Sequence, residues 1–111
     1  MGGRAILEVD ENAADGAIDI FYQFRTMQSM RVKILPEAYR QITGVPLSIH
    51  RRVLGILERL EHWPAVSGAK PLAGPLAGHY RIRTGDYRVQ FRVEANEVIV
   101  EKVGHRDRFY D

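Results

Sequence analysis

Cysteine is absent from this chain of 111 residues, which excludes disulfide bonds and thiolate metal sites. No apolar run approaches the roughly 20 residues that a membrane-spanning helix needs. The first residues also lack the charged-then-apolar pattern of a secretory signal. No His, Asp and Glu cluster has metal-ligand spacing, and no glycine-rich nucleotide loop is present. Together these absences predict a soluble, cytoplasmic domain that works without a metal or another cofactor.

The net charge is only +2, but it is unevenly distributed along the chain. Residues 1–29 carry two arginines and five acidic residues, a net charge of −3, whereas residues 30–111 carry +5. A basic body preceded by an acidic segment suggests a polyanionic ligand and a segment that lies over the ligand site. The alternative is that a modest positive charge only aids solubility, and charge alone leaves both interpretations open.

The last third of the chain alternates between apolar or aromatic residues and arginines. Residues 80–84, 87–93 and 98–103 read as three strands, because period-two alternation places one set of side chains in a core and the other set on the opposite face. Thr84-Gly85-Asp86 and Ala95-Asn96 form short connections, with Gly85 and Asn96 suited to the left-handed region. The opposite face of this antiparallel meander carries Arg81, Arg83, Arg88 and Arg92.

The segment before the meander predicts a strand over residues 30–35 and then two helices. Pro36 suits the first turn of a short helix that stops near Gly44. A longer helix opens at residues 46–48, with Ser48 as N-cap or Pro46 in the first turn, and Pro64 ends it. Residues 64–78 read as a loop. The predicted fold is α+β, a strand, a helical hairpin and a three-stranded antiparallel meander, with the helices packed on one face of the sheet.

Residues 1–29 divide from the rest, which predicts an N-terminal extension followed by a domain over residues 30–111. Residues 5–9 and 17–24 could be strands of a hairpin that packs on the domain. The other interpretation is that Met30 begins the functional domain and the preceding residues come from an upstream coding stretch.

Residues 30–111 resemble the RelE/ParE toxin superfamily of bacterial and archaeal toxin–antitoxin systems. The resemblance lies in Lys70-Pro-Leu-Ala-Gly74, Tyr80-Arg-Ile-Arg83, Gly85-Asp-Tyr-Arg-Val89 and Val103-Gly-His-Arg106, followed by Phe109-Tyr110. It implies a toxin neutralised by a cognate antitoxin. In the RelE branch the toxin enters the ribosomal A site and cleaves mRNA, which stops translation and growth, and in the ParE branch the target is DNA gyrase.

The resemblance also implies which residues work in the RelE branch: Arg81, Arg83, Arg88, Arg106 and Tyr110. Well-known members place lysines on the strand that here carries Arg81 and Arg83, and one of those lysines is thought to deprotonate the attacking hydroxyl. Arginine remains charged at any working pH and is a poor base. This departure leaves the identity of the general base open.

Metal-independent RNA cleavage requires a group that takes a proton from the 2′-hydroxyl, one that protonates the 5′-oxygen, and cations around the phosphate. The candidates for proton transfer are His105, Tyr110 and His79. His105 is preferred because the ordinary pKa of histidine lies near working pH and because Gly104-His105-Arg106 directly follows a strand. The complete predicted site contains the catalytic residues Arg81, Arg83, Arg88, His105, Arg106 and Tyr110 and the RNA-binding residues Lys70, His79, Tyr87 and Arg92. A surface role for His105 and a core role for Tyr87 are the competing interpretations. The favoured function is a ribosome-dependent endoribonuclease, and a non-enzymatic gyrase inhibitor or an inactive member is the alternative.

Overall fold

The computed structural model describes residues 5–9, 16, 18–22 and 30–107, and of strands 5–9 and 18–22 it describes the backbone alone. The elements of these residues follow in chain order: β1 (Ala5–Val9), β2 (Ile18–Tyr22), β3 (Arg31–Ile34), α1 (Pro36–Thr43), α2 (Leu47–Leu60), β4 (Lys70–Pro71), a 3-10 helix (Gly74–Leu76), β5 (His79–Thr84), β6 (Tyr87–Glu94) and β7 (Glu97–His105).

All described strands belong to one sheet, in the order β1-β2-β3-β7-β6-β5-β4. Strand β3 pairs in parallel with β7, and every other neighbouring pair is antiparallel. The predicted α+β fold and the meander β5-β6-β7 are therefore confirmed. The region predicted as a loop contributes one further element, because Lys70–Pro71 pairs with β5 as a short edge strand.

Helix α1 begins at Pro36 and is followed by Gly44 as its C-cap, as predicted. Helix α2 starts differently from either prediction. Pro46 is its N-cap residue and Ser48 lies inside the first turn, so no side chain caps this end. Gly55 lies inside α2, and a Cβ placed there would meet nothing within 4 Å. Neither helix of the described residues is long and apolar enough to cross a membrane.

The core lies between the two helices and one face of the sheet. Helix α2 contributes an apolar stripe, which buries Val53, Ile56, Leu57 and Leu60 as the helical spacing predicts. The sheet contributes the alternate residues of β6, among them the fully buried Phe91. Trp63 and Tyr80 contact Phe91 with ring centroids 5.4 and 5.5 Å away, which makes Tyr80 a core residue. The other side of the sheet is here called the open face.

A β-bulge interrupts the pairing of β6 with β7. Gln90 lies opposite Lys102 and Phe91 lies opposite Val100, so Glu101 is the extra residue. The extra residue allows both Val100 and Val103 to point into the core, although they are three positions apart. The N–H of Val103 donates to Oε1 of a glutamine on α1, at 2.7 Å. The bulge therefore leaves Glu101 away from the core, among the arginines of the open face.

The N-terminal strands appear where residues 5–9 and 17–24 predict them, and β2 joins the sheet beside β3. Strands β3, β7 and β6 separate them from β5, which carries Arg81 and Arg83. The expectation that the acidic segment covers the arginine face is therefore wrong for these two strands. The two strands instead extend the sheet beyond β3. Pairing with β3 satisfies backbone hydrogen bonds of both strands, which a segment lying across the face of the sheet would leave unpaired.

Candidate functional site

A pocket of about 230 Å³ lies on the open face, where β4, β5 and β6 meet. Register explains how its side chains converge, because paired residues on neighbouring strands point to the same face. Arg81 of β5 lies opposite Lys70 of β4, and Arg83 lies opposite Arg88 of β6. The described residues of the lining are Gly68, Lys70, Leu72, Arg81, Arg83 and Arg88. The pocket thus gathers four cationic side chains, and none of its described lining residues is acidic.

Arg88 contributes a buried donor with spare capacity to this pocket. Its Nη1 atom is buried and has no hydrogen-bond partner among the described residues. A buried donor without a partner is costly, and a bound anion would satisfy it. The planar guanidinium can donate two parallel hydrogen bonds to phosphate oxygens. The chemistry of the pocket therefore suits a phosphate group.

Glu101 organises the part of the open face next to the pocket. Its Oε1 accepts from Nδ1 of His79 at 2.7 Å and from Nε2 of Gln90 at 3.3 Å, and its Oε2 accepts from Nη1 of Arg92 at 2.8 Å. Because a carboxylate only accepts, Nδ1 of His79 carries a proton in this bond. Gln90 in turn accepts from Nη2 of Arg81 at 3.4 Å, which connects the network to the pocket.

The same contacts govern the ionisation of the network. Burial alone would raise the pKa of Glu101, but the hydrogen bonds from His79, Arg92 and Gln90 outweigh it and lower that pKa below the ordinary glutamate value. Burial likewise opposes the charge of Arg92, and the carboxylates of Glu101 and Glu94 overcome it and raise the pKa of Arg92. Both partners therefore stay charged at neutral pH.

His105 lies on the other side of the sheet from the pocket. It pairs in register with Tyr87, whose alternation with the buried Val89 places it on the helix side. The two rings make an edge contact with centroids 5.2 Å apart. Nδ1 of His105 accepts from the N–H of Asp107 at 3.2 Å. The pairing geometry separates His105 and Tyr87 from the phosphate pocket.

Arg106 stands beside the turn between β5 and β6. Its backbone N–H donates to the carbonyl oxygen of Asp86 at 2.7 Å. Its Nε atom lies 3.8 Å from a carboxylate oxygen of Asp86 and 3.7 Å from one of Asp107. Two exposed carboxylates thus balance the charge of Arg106. Tyr110 lies outside the described residues.

The predicted site residues fall into three groups. The structure brings together Lys70, Arg81, Arg83 and Arg88 in the pocket. It engages His79 and Arg92 with Glu101, and it places Tyr87, His105 and Arg106 elsewhere. Sequence reasoning missed Glu101, because alternation along β7 does not show a bulge. A signal was present: a lone acidic residue inside the apolar run of residues 98–103. Among the described residues, no three His, Asp or Glu side chains form a group that could hold a metal ion.

Comparison with known proteins places this geometry in a family. A family model described as the ParE toxin of the type II toxin–antitoxin system parDE matches residues 32–110. The chain belongs to this toxin family, within the RelE/ParE superfamily. The match includes every residue that lines the pocket.

Relatives of the toxin support the assignment. Toxin RelE3 of Methanocaldococcus jannaschii is 28% identical over 85 residues, which cover 74% of this chain and 97% of the relative. In the crystal structure of the toxin–antitoxin complex RelBE2 from Mycobacterium tuberculosis, one chain matches with a TM-score of 0.63 and 28% identity, covering 70% of this toxin and 99% of that chain. A chain of the RelB–RelE complex from Methanococcus jannaschii matches with a TM-score of 0.60 and 26% identity. The match covers 70% of this toxin and 94% of that chain.

Proposed function

We propose that this toxin is a metal-independent endoribonuclease that cleaves mRNA at the ribosome and so arrests translation and growth in the cytoplasm. The observation that carries the proposal is the pocket, where one lysine and three arginines meet and no described lining residue is acidic. The buried Nη1 of Arg88, which has no partner in the described part of the chain, supports the same conclusion. A scissile phosphate would satisfy this donor and spread its charge over the neighbouring cations.

In the proposed reaction the 2′-hydroxyl oxygen attacks the adjacent phosphorus. The O2′–P bond forms, the P–O5′ bond breaks, and the hydroxyl proton passes to a base while the departing 5′-oxygen receives a proton. The arginines stabilise the charge that gathers on the phosphate oxygens between these two events. This role requires only fixed positive charge, which arginine supplies at every working pH.

We assign the proton transfer to Lys70. Among the described residues that line the pocket, it is the one whose side chain can exchange a proton, since the three guanidinium groups cannot. Its register position opposite Arg81 supports the assignment. His105 was preferred from the sequence, but it pairs with Tyr87 on the other face, and His79 already donates to Glu101. Lysine would thus enter this pocket from the edge strand β4.

The test is replacement of Arg88 by alanine, followed by mapping of mRNA 5′ ends in a translating extract. We expect Arg88→Ala to reduce cleavage by roughly 100-fold or more, because one donor to the developing charge is lost. The matched control is Arg40→Ala, which removes an exposed arginine from α1 on the helix side and should leave cleavage unchanged. Undiminished cleavage by a folded Arg88→Ala toxin would refute the proposal.

Inhibition of DNA gyrase without any cleavage is the second candidate, and the description of the matching family as ParE favours it. Wild-type toxin would then produce no new mRNA 5′ ends, with or without translation, and would reduce supercoiling by purified gyrase. An inactive toxin would do neither.

We also propose that a cognate antitoxin binds this toxin, since both solved relatives are chains of toxin–antitoxin complexes. The four cationic side chains that line the pocket form a surface to which an acidic antitoxin segment could bind. Co-purification of the toxin with the product of an adjacent gene would test this partner.

A further inference from the structure

The part of the open face formed by β4, β5 and β6 has two halves, which differ in how many carboxylates lie among their described residues. Pairs of β5 and β6 residues succeed one another along it: Arg83 with Arg88, then Arg81 with Gln90, then His79 with Arg92. The first half, here called the cationic half, contains Lys70, Arg81, Arg83 and Arg88. The second, here called the neutralised half, contains His79, Arg92, Glu94 and Glu101. Two residues of a strand advance by about 7 Å, so Arg92 lies about 14 Å from Arg88 along β6.

The guanidinium group of Arg92 donates hydrogen bonds to two carboxylates. Its Nε donates to Glu94 at 2.9 Å and its Nη1 donates to Glu101 at 2.8 Å. The two acids differ in exposure, because the side chain of Glu101 is 15% exposed and that of Glu94 is 59% exposed. Solvent and salt screen the exposed pair strongly and the less exposed pair much less. Glu101 is therefore the main restraint on Arg92.

Glu101 also holds its position through neighbours other than Arg92. His79 and Gln90 donate to the same carboxylate oxygen, and the bulge directs the side chain to the open face. The lowered pKa of Glu101 keeps the carboxylate ionised at neutral pH, although burial alone would oppose ionisation. An ionised carboxylate at this position repels a phosphate that approaches Arg92.

We propose that Glu101 ends the phosphate-binding track of the open face at Gln90, so that the nucleic-acid backbone contacts the cationic half alone. The proposal rests on the proposed function in one respect, that the pocket binds phosphates of RNA. A single short track gives the backbone one register on the sheet and fixes which phosphate enters the pocket. Arg92 is then a structural partner of Glu101 and makes no contact with RNA in the wild-type toxin.

The experiment measures how the affinity of the full-length toxin for a short, fluorescein-labelled single-stranded DNA changes with salt. DNA lacks the 2′-hydroxyl, so the probe binds without being cleaved. The slope of log K against log salt falls by about 0.7 for each phosphate neutralised on a single strand. We expect Glu101→Gln to steepen this slope by about 0.7, because Arg92 is released to bind one further phosphate.

Two matched variants distinguish release of Arg92 from a general loss of negative charge. Glu94→Gln removes the same charge from the same arginine but leaves Glu101 in place, and it should change the slope little. The double variant Glu101→Gln/Arg92→Gln should return the slope to near the wild-type value. Equal slopes for wild type and a folded Glu101→Gln toxin would overturn the proposal, and so would a double variant that stays as steep as Glu101→Gln.

Binding and cleavage separate this inference from the proposed function. A steeper slope in Glu101→Gln together with no mRNA cleavage by wild type would retain the track boundary and discard the nuclease. Normal mRNA cleavage by wild type with an unchanged slope in Glu101→Gln would retain the nuclease and discard the track boundary. Absence of DNA binding by every variant would overturn the track boundary, and mRNA cleavage by wild type would then decide the nuclease on its own.

Discussion

Glu101 is a single residue whose contacts determine the charge state of much of the open face. It accepts hydrogen bonds from His79, Gln90 and Arg92 with only 15% of its side chain exposed. Removal of such a carboxylate leaves three donors without their partner. Loss of a buried acceptor of this kind costs about 1–3 kcal/mol.

The lowered pKa of Glu101 predicts a pH-dependent stability. The carboxylate contributes its full stabilisation above the unfolded pKa of about 4.3, and this is lost as pH falls through the lower folded value. Thermal unfolding from pH 7 to about pH 3 should show Glu101→Gln less stable than wild type at neutral pH. The difference in stability between the two proteins should disappear in acid. Glu94→Gln, which removes an exposed carboxylate, should differ only slightly from wild type in stability at pH 7. If the stability difference between Glu101→Gln and wild type were the same at about pH 3 as at pH 7, the ionised carboxylate of Glu101 would not be its source.

Helix α2 combines a well-packed apolar stripe with a glycine that packing does not require. A Cβ at Gly55 would meet nothing within 4 Å, so an alanine fits the helix without displacing a neighbour. Glycine costs a helix interior about 1 kcal/mol relative to alanine, mainly through the freedom of the unfolded chain.

Gly55→Ala should therefore stabilise the toxin by about 1 kcal/mol, or on the order of 4 °C in Tm. The contrasting variant is Gly85→Ala in the β5–β6 turn, where φ is +60°. Alanine is strained in this left-handed conformation by roughly 1–2 kcal/mol, so this variant should be less stable than wild type. Thermal unfolding of both proteins provides the measurement. A destabilised Gly55→Ala toxin would show that the helix has a packing constraint at this position.

At the scale of the whole molecule, the N-terminal strand pair covers the edge of β3. Strand β2 pairs with β3 at residues 18–20, and β1 beyond it forms the edge of the sheet farthest from β4. We propose that residues 30–111 form the toxin domain and that the preceding strands protect this edge, because an exposed strand edge offers unpaired N–H and C=O groups to other chains.

The chain without residues 1–29 tests this arrangement. We expect it to bind the oligonucleotide with the wild-type salt slope, since the pocket lies at the opposite edge, and to self-associate more readily in light scattering. Tighter binding by the shortened chain would support the original expectation that the acidic segment shields the arginines. The same shortened toxin should remain folded by circular dichroism if residues 30–111 form a domain.

Much of the fold could be predicted because its signals are local. The alternation of Tyr87, Val89 and Phe91 with arginines reports a strand, and the spacing of Val53, Leu57 and Leu60 reports a helix. Side-chain direction repeats with the period of the backbone in both cases. The start of α2 was less predictable: Pro46 and Ser48 can each begin a helix, and Pro46 is the N-cap residue, which neither prediction gave.

The sequence by itself determined the order of elements, the α+β class and the presence of arginines on one side of the meander, since each depends on residues a few positions apart. Only the tertiary structure decided which of those arginines are available. Glu101 reaches His79 from 22 positions away through the pairing of three strands and a bulge, and Lys70 enters the pocket through an edge strand of two residues. Strand register and bulges are set by contacts between distant segments, and one inserted residue changes which side chains share a face.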